Sequence, residues 1–338
     1  MRLTVGDPSR PGWTRRPCGR GFRYFAADGE PVRDADDLAR LRSLAIPPAW
    51  REVWICPRPS GHLQAVGTDA AGRRQYLYHP EFRRQQEQSK HEHVLVVAER
   101  LPAVRKAVAD RLATRGLNRE RVLACAVRLL DVGFFRVGSD AYSRENGTYG
   151  LTTVLREHVT CRADEVAFDY PAKGARQRVV ALTDPDVRKA VTELRRRRGG
   201  GDRLLAYWEH RRWHDVHSED LNACLRELAD VPVSAKDFRT WHATVLAAVA
   251  LAVSARVAGG RTVARTRAVN RAVREVAHYL GNTPAVCRAS YINPRVVELF
   301  HEGVTVDLDF DALGADTPYG TPAMQGRIED AVLRLLTR

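Results

Sequence analysis

No two of the six cysteines are spaced to hold a metal or to staple a small fold. Cys18, Cys56, Cys125, Cys161, Cys224 and Cys287 lie far apart, with no C-x-x-C pair and no histidine at ligand spacing. That argues against a zinc or disulfide framework and predicts reduced thiols. No run approaches the ~20 apolar residues that span a bilayer, and the first residues carry no apolar h-region. The expectation is a soluble, cytoplasmic protein with no membrane partner. Neither a Walker A sequence nor a cluster of carboxylates suited to a catalytic metal is present, which agrees with an activity that uses no ATP or metal; no cofactor is expected.

What the chain has in quantity is positive charge. Lys and Arg number 54 against 41 Asp and Glu, a formal net charge of +13 over 338 residues, with arginine abundant. Such a balance selects a polyanionic partner, nucleic acid ahead of an acidic membrane. The length exceeds what one core serves, so two domains are expected, a β-rich one over 1–90 and a larger, mainly helical one over 91–338. In the first, short runs at 22–25, 53–56, 63–66 and 75–78 are punctuated by Gly, Pro and Asp clusters, with a helix at 34–43. The polar stretch 81–93 reads as the boundary or a connecting helix.

Beyond it the pattern turns helical. A helix over 94–114 is expected to break or kink near Pro102. In a second, over 118–133, Val122, Leu123, Ala126, Leu129 and Leu130 form one buried face. Three strands follow, clearest at 154–155, 165–169 and 178–182. A helix begins at Asp184-Pro185 and ends in the arginines 195–198 before Gly199-Gly200-Gly201, a flexible basic corner that is either a solvated face or a phosphate contact. Residues 204–230 read as further helix containing Trp208 and Trp213. An apolar helix spans 238–253. An amphipathic one over 262–280 should bury Val263, Ala268, Val269, Ala272, Val273, Val276 and Leu280 and close at Gly281. A last helix is expected from about Pro322.

A few side chains stand out by local setting. Arg136 follows Phe134-Phe135 and precedes Gly138, so its stem is anchored and its fork aimed by the loop that leads to Tyr142. Lys173 sits at a hairpin tip, where a lysine is ordinarily solvated. Ser234-Ala235-Lys236-Asp237 resembles a capping box and puts Lys236 and Arg239 in the first turn of a helix. Cations there cost stability unless an anion occupies the helix N-terminus. Thr283-Pro284 and Asn293-Pro294 each read as an N-cap followed by proline at the first helical position, with Tyr291 at the joint between the two helices. On the run 73–78, Tyr76 and Tyr78 face one side and Gln75 and Leu77 the other. Those groups suit phosphates and base edges, or they belong to an ordinary aromatic strand with solvated arginines.

In order along the chain, Arg136, Lys173, Lys236-x-x-Arg239 and Tyr291 resemble the catalytic set of the type IB DNA topoisomerases, most closely their poxvirus-like and bacterial branch. The resemblance takes in Gln75-Tyr76-Leu77-Tyr78, Arg136-Val137-Gly138-Ser139 with Glu145-Asn146-Gly147-Thr148-Tyr149-Gly150, the Lys173 hairpin, Lys236-Asp237-Phe238-Arg239, and Thr283-Pro284 through Ser290-Tyr291. It therefore covers most of the chain. It implies an α+β protein whose two domains form a C-shaped clamp on double-stranded DNA, a monomer with no obligate protein partner, associated with the nucleoid. Tyr291 would attack a phosphodiester to give a 3′-phosphotyrosyl ester, with Arg136 and Arg239 on the phosphorus oxygens and Lys173 as the acid for the departing 5′-oxygen. Supercoils of either sign would relax without ATP or metal. Arg73, Gln75, Tyr76, Tyr78, Tyr142 and Lys236 would touch DNA.

One position departs from that pattern. Asn282 stands nine residues before Tyr291, where viral and eukaryotic relatives place a histidine. An amide can donate a hydrogen bond to a phosphate oxygen but cannot shuttle protons. Two other readings remain: a tyrosine recombinase, which usually has His-x-x-Arg at the second arginine and a helical core-binding domain, and a non-catalytic DNA clamp, for which the charge alone suffices.

Overall fold

The computed structural model describes residues 2–258, 262–307 and 325–338, and the chain divides into two compact units, Met1–Lys90 and His91–Arg338. In the first, β1 (Trp13–Cys18), β2 (Gly21–Phe25), α1 (Ala35–Ser43), β3 (Arg51–Ile55), β4 (Leu63–Thr68) and β5 (Arg74–Tyr78) build an antiparallel sheet in the order β2-β1-β3-β4-β5. Asp34 caps α1 by accepting from the Asp37 amide at 2.9 Å. Leu41 of that helix joins Tyr24, Ile46, Val53, Ile55 and Ala65 in the core.

Strand β1 is absent from the sequence reading because Trp13-Thr14-Arg15-Arg16-Pro17-Cys18 does not alternate and contains a proline. Pro17 pairs with Phe22 of β2, but the pairing of β1 with β3 involves only Trp13 and Thr14. The proline therefore lies where the strand has an open edge, the one place in a sheet that tolerates a missing N–H.

The second unit takes up α2 (Pro80–Leu112) from His91 onward, then α3 (Arg119–Gly133), α4 (Asp140–Asn146), β6 (Val159–Cys161), β7 (Val166–Ala172), β8 (Arg176–Leu182) and α5 (Pro185–Arg196). There follow β9 (Ala206–Glu209), β10 (Arg212–Asp215), α6 (Ser218–Ala229), α7 (Ala235–Ala258), α8 (Thr262–Leu280), α9 (Pro284–Ser290), α10 (Pro294–Glu302) and α11 (Arg327–Leu336). Helices predominate, with a three-stranded antiparallel sheet β6-β7-β8 and a β9-β10 hairpin. Trp241, Phe135, Phe168, Phe238 and the apolar faces of α2 and α3 lie in one continuous core. Each such side chain, fully buried, contributes about 1.5–3 kcal/mol from the removal of apolar surface from water.

Several expectations are corrected. Helix α2 runs on past Pro102, because Leu101 and Val104 are both held in the core on either side of it. The first strand of the sheet is β6, not 154–155; Val154 is buried and Leu155 makes a single bridge to Arg203. The segment read as helix around Trp208 and Trp213 is the β9-β10 hairpin, whose turn residues His210 and Arg211 both have positive φ, 48° and 62°. Such turns are ordinarily announced by Asn-Gly or Asp-Gly, and His-Arg carries no such signal. Val263, expected inside, is 64% exposed. Of the basic corner, Arg197 is neither solvated nor available to phosphate: it is buried and donates to the carbonyls of Leu194 and Leu204, each at 2.8 Å. Pro322 lies outside the described residues, and the last described helix begins at Arg327. Contrary to the expectation of no long apolar run, Ala235–Arg256 is by length and composition apolar enough to cross a membrane; 67% of its most apolar window is buried inside the unit.

A buried polar cluster ties the helices together. Asp131 of α3 accepts from Arg105 of α2 at 2.8 Å and is 3.2 Å from Nε2 of His242 on α7. Arg105 also reaches Glu329 of α11, which accepts from the Trp241 indole at 2.9 Å. Burial alone would raise the Asp131 carboxyl, but His242 and Arg105 outweigh it and hold the group well below the usual carboxylate range.

Candidate active site

The loop that carries Arg136 is fixed on both sides. Phe134 ends α3 in the left-handed region at φ 54°, and Phe135 is buried between Phe168 and Tyr170 of β7, at ring distances of 4.9 and 6.2 Å. The backbone beyond lies against 150–152: the Arg136 carbonyl accepts from the Leu151 amide, and that of Val137 from the Thr152 amide, each at 2.8 Å. This approach requires Gly150, since a Cβ there would stand 2.5 Å from the Gly138 Cα and 2.8 Å from the Arg136 oxygen. The Arg136 guanidinium is thus set by backbone contacts.

Helix α8 supplies what that guanidinium and a second one bind. The helix closes with Gly281 at φ 63°, and the Asn282 amide reaches back to the Ala277 carbonyl at 2.9 Å. The last carbonyls of a helix have no partner within it and carry its negative dipole end. Here Arg239 of α7 donates to the Leu280 oxygen at 2.8 Å, and Arg136 donates to the Gly281 oxygen at 3.0 Å and to Oδ1 of Asn282. Arg239 also donates to the Phe134 oxygen at 2.5 Å. Among the described residues no carboxylate pairs with either cation.

These groups line one cavity of about 430 Å³, together with Lys173, Tyr170 and Arg178. Among the described residues its walls contain arginine, lysine and histidine but no Asp or Glu. The electrostatic consequence shows in Arg239: burial, and then the neighbouring charge of Arg136, push its guanidinium down to about 10, partly opposed by the Tyr291 phenol. Burial pushes the Tyr170 phenol up to about 12. The Nδ2 of Asn282 is buried with no hydrogen-bond partner among the described residues. A cavity with surplus positive charge and an unspent donor is suited to an anion that offers several oxygens.

Tyr291 does not line the cavity. Its ring lies 5.5 Å from the guanidinium carbon of Arg239, which does line it. The Tyr291 amide donates to the Cys287 carbonyl at 3.0 Å, and Thr244 of α7 lies 3.3 Å from the Tyr291 carbonyl and 3.1 Å from the Asn293 amide. The helix that carries Arg239 therefore also braces the turn that carries the phenol. The proline caps on either side form as read from the sequence, with Thr283 accepting from Val286 and Asn293 from Arg295.

Of the remaining candidates, only Lys173 also lines the cavity. Lys173 is exposed at the β7-β8 tip, its ammonium 6.0 Å from the ring of Tyr142, which is 46% exposed. Ser234 and Asp237 form the expected cap, at 2.8 and 2.9 Å, but only Arg239 turns into the cavity; Lys236 is exposed and lines no part of it. In the first unit, Arg73 and Gln75 both donate to Asp69, at 3.0 and 2.9 Å, while Tyr76 and Tyr78 stack at 6.3 Å. Sequence reasoning missed Arg178. In β8, Val180 and Leu182 turn inward, and Arg178 occupies the next inward position, opposite Tyr170. An arginine in an inward slot of an amphipathic strand was the available signal.

Residues 79–302, which include every cavity residue named above as well as Tyr291, match the family described as eukaryotic DNA topoisomerase I, catalytic core. Residues 21–69 match the bacterial DNA topoisomerase IB N-terminal domain. The chain belongs to the type IB DNA topoisomerase family. It is 26% identical over 295 residues to DNA topoisomerase 1B of Acanthamoeba polyphaga mimivirus, covering 85% of this chain and 86% of that protein. It is 30% identical over 130 residues to DNA topoisomerase 1 of Daucus carota, a match over 38% of this chain and 15% of the plant protein. The β-rich first unit and the mainly helical second unit agree with that family, and a DNA-binding isomerase accounts for the basic balance of the chain.

Proposed function

We propose that this topoisomerase cuts one strand of duplex DNA by transesterification to Tyr291 and reseals it. The Tyr291 oxygen attacks phosphorus, its proton passes to solvent, and the bond from phosphorus to the 5′-oxygen breaks. Lys173 delivers a proton to that oxygen, which would otherwise leave as a poor alkoxide. Arg136, Arg239 and the Nδ2 of Asn282 bind the non-bridging oxygens, where charge gathers in the transition state. The product is a 3′-phosphotyrosyl ester and a free 5′-hydroxyl strand, which turns about the intact strand before attacking in reverse. One ester is exchanged for another of similar energy, so the cycle consumes no ATP, requires no metal and relaxes supercoils of both signs.

The observation that carries this reading is the cavity in which arginines and a lysine meet without a single carboxylate, beside a buried amide donor that lacks an acceptor. A scissile phosphate supplies the charge and the oxygens that this arrangement lacks. Arg73, Gln75, Tyr76, Tyr78, Tyr142 and Lys236 are assigned to contacts with flanking DNA, mostly to phosphate, so affinity should fall steeply with salt. The test is relaxation of a supercoiled plasmid in EDTA without ATP, by the native chain and by Tyr291→Phe. The native chain should relax both positive and negative supercoils, and Tyr291→Phe should bind DNA as before while forming no covalent adduct. Relaxation by the phenylalanine variant would remove Tyr291 from its role.

A further inference from the structure

We propose that Arg178 is a third guanidinium on the scissile phosphate, binding a non-bridging oxygen beside Arg136 and Arg239; this rests on the transesterification reading above. The geometry comes from the sheet. Arg178 lies directly opposite Tyr170 in the β7-β8 pairing and so shares its face; it is half-buried and lines the cavity. An atom at the Cβ position of Gly281 would stand 3.8 Å from its Nη1, which puts the Arg178 fork beside the residue whose carbonyl binds Arg136.

Its donors are the unspent ones. Arg136 and Arg239 both use nitrogens to hold helix-end carbonyls. The side chain of Arg178 makes neither an ion pair nor a hydrogen bond with another described residue. Burial and the charge of Arg136 both lower its pKa, opposed by Tyr170. Holding a half-buried guanidinium with no carboxylate against two others is unfavourable in the empty protein and is offset when a phosphate oxygen enters. A structural arginine is held in place by acceptors; the Arg178 fork lines the cavity and has no hydrogen-bonded acceptor among the described residues.

The experiment is single-turnover cleavage of a duplex whose short leaving strand dissociates, so that the covalent adduct accumulates. Wild type, Arg178→Ala and Arg178→Lys are compared on a normal scissile phosphodiester and on one in which a non-bridging oxygen is replaced by methyl, making it neutral. Arg178→Ala should cleave the diester about 10²-fold more slowly, in the range for loss of one preorganised donor. Arg178→Lys, which keeps the charge but not the fork, should recover part of that. On the methylphosphonate the wild-type advantage should shrink to within about tenfold, because the charge that Arg178 neutralises is gone. Equal penalties on both substrates, the signature of a distorted hairpin, would overturn the assignment, as would a rescue seen only when the methyl group is placed on the neighbouring phosphate. If wild type cleaves and Arg178→Ala cleaves equally fast, this assignment alone fails. If wild type forms no adduct, the transesterification reading fails and takes this assignment with it.

Discussion

The second unit buries arginines in two places, and the two are built on opposite rules. Around Asp131, Arg105 meets two carboxylates, and Arg128 pairs with Asp184 at 2.7 Å. In the cavity, Arg136 and Arg239 bind carbonyl oxygens and an amide, Arg239 also lies against the Tyr291 ring, and the Arg178 side chain has no hydrogen bond or ion pair to another described residue. Removing a charge from water costs several kcal/mol, which a complete ion pair offsets and a carbonyl only partly does. The first cluster is consequently finished when the chain folds. The second is left incomplete by folding, and its deficit in stability is the affinity it holds for an incoming anion. Burial of arginine by itself says little about function; what decides is whether the protein also supplies the counter-charge.

The contrast is sharpest at the group with the fewest ties. Lys173 is exposed, its ammonium 6.0 Å from the face of Tyr142, so its removal should leave the fold intact and act on the chemical step alone. Lys173→Ala is expected to slow cleavage by about 10²–10⁴-fold, the contribution typical of a general acid. Replacing the 5′-bridging oxygen by sulfur should restore the rate, because a thiolate departs unaided. A variant that stays slow on the sulfur substrate would show that Lys173 does something other than give up a proton.

A crossed pair of substitutions sets the two clusters against each other. Arg136→Ala should cost about 10²–10³-fold in cleavage rate. Its half-buried position lets water replace the bond to the Gly281 carbonyl, so thermal stability should scarcely move. Asp131→Ala should do the reverse, leaving Arg105 and His242 facing a buried gap, with a loss of about 3–5 kcal/mol. For a unit of this size that lowers Tm on the order of 10 °C. Calorimetry and single-turnover cleavage on both variants would decide it. Equal losses of stability from the two would mean that the cavity arginines are structural as well.

How much of this could be read from the chain depends on whether the cause is local. Asp34, Asp184, Thr283 and Asn293 cap helices through atoms two or three residues away, and each helix start was legible for that reason. Arg136 stood out because its anchors, Phe135 and Gly138, are its neighbours. Arg178 did not, because its setting depends on register with Tyr170 and on the end of α8, a hundred residues further along. The sequence marks Gly281 as the end of a helix, but nothing in it shows that the carbonyls of Leu280 and Gly281 hold Arg239 and Arg136. Strand β1 and the β9-β10 hairpin were missed because a proline and a His-Arg turn displaced the residues by which strands and tight turns are ordinarily recognised.

The smallest expected effect bears most directly on the contrast between the clusters. Asn282 gives Oδ1 to Arg136 and keeps Nδ2 buried and unbonded. Asn282→Ala removes that donor and should slow cleavage by at most about 10²-fold. Asn282→Asp is nearly isosteric, yet it converts the donor into an acceptor and provides Arg136 with the carboxylate that the cavity otherwise lacks. The cavity would then follow the rule of the Asp131 cluster, with its charge satisfied from within. The aspartate variant should melt no lower than wild type and cleave more slowly than the alanine variant, because a phosphate must now displace an ion pair and approach a negative charge. Should Asn282→Asp cleave as fast as wild type, the missing carboxylate would not be what makes the cavity receptive to phosphate.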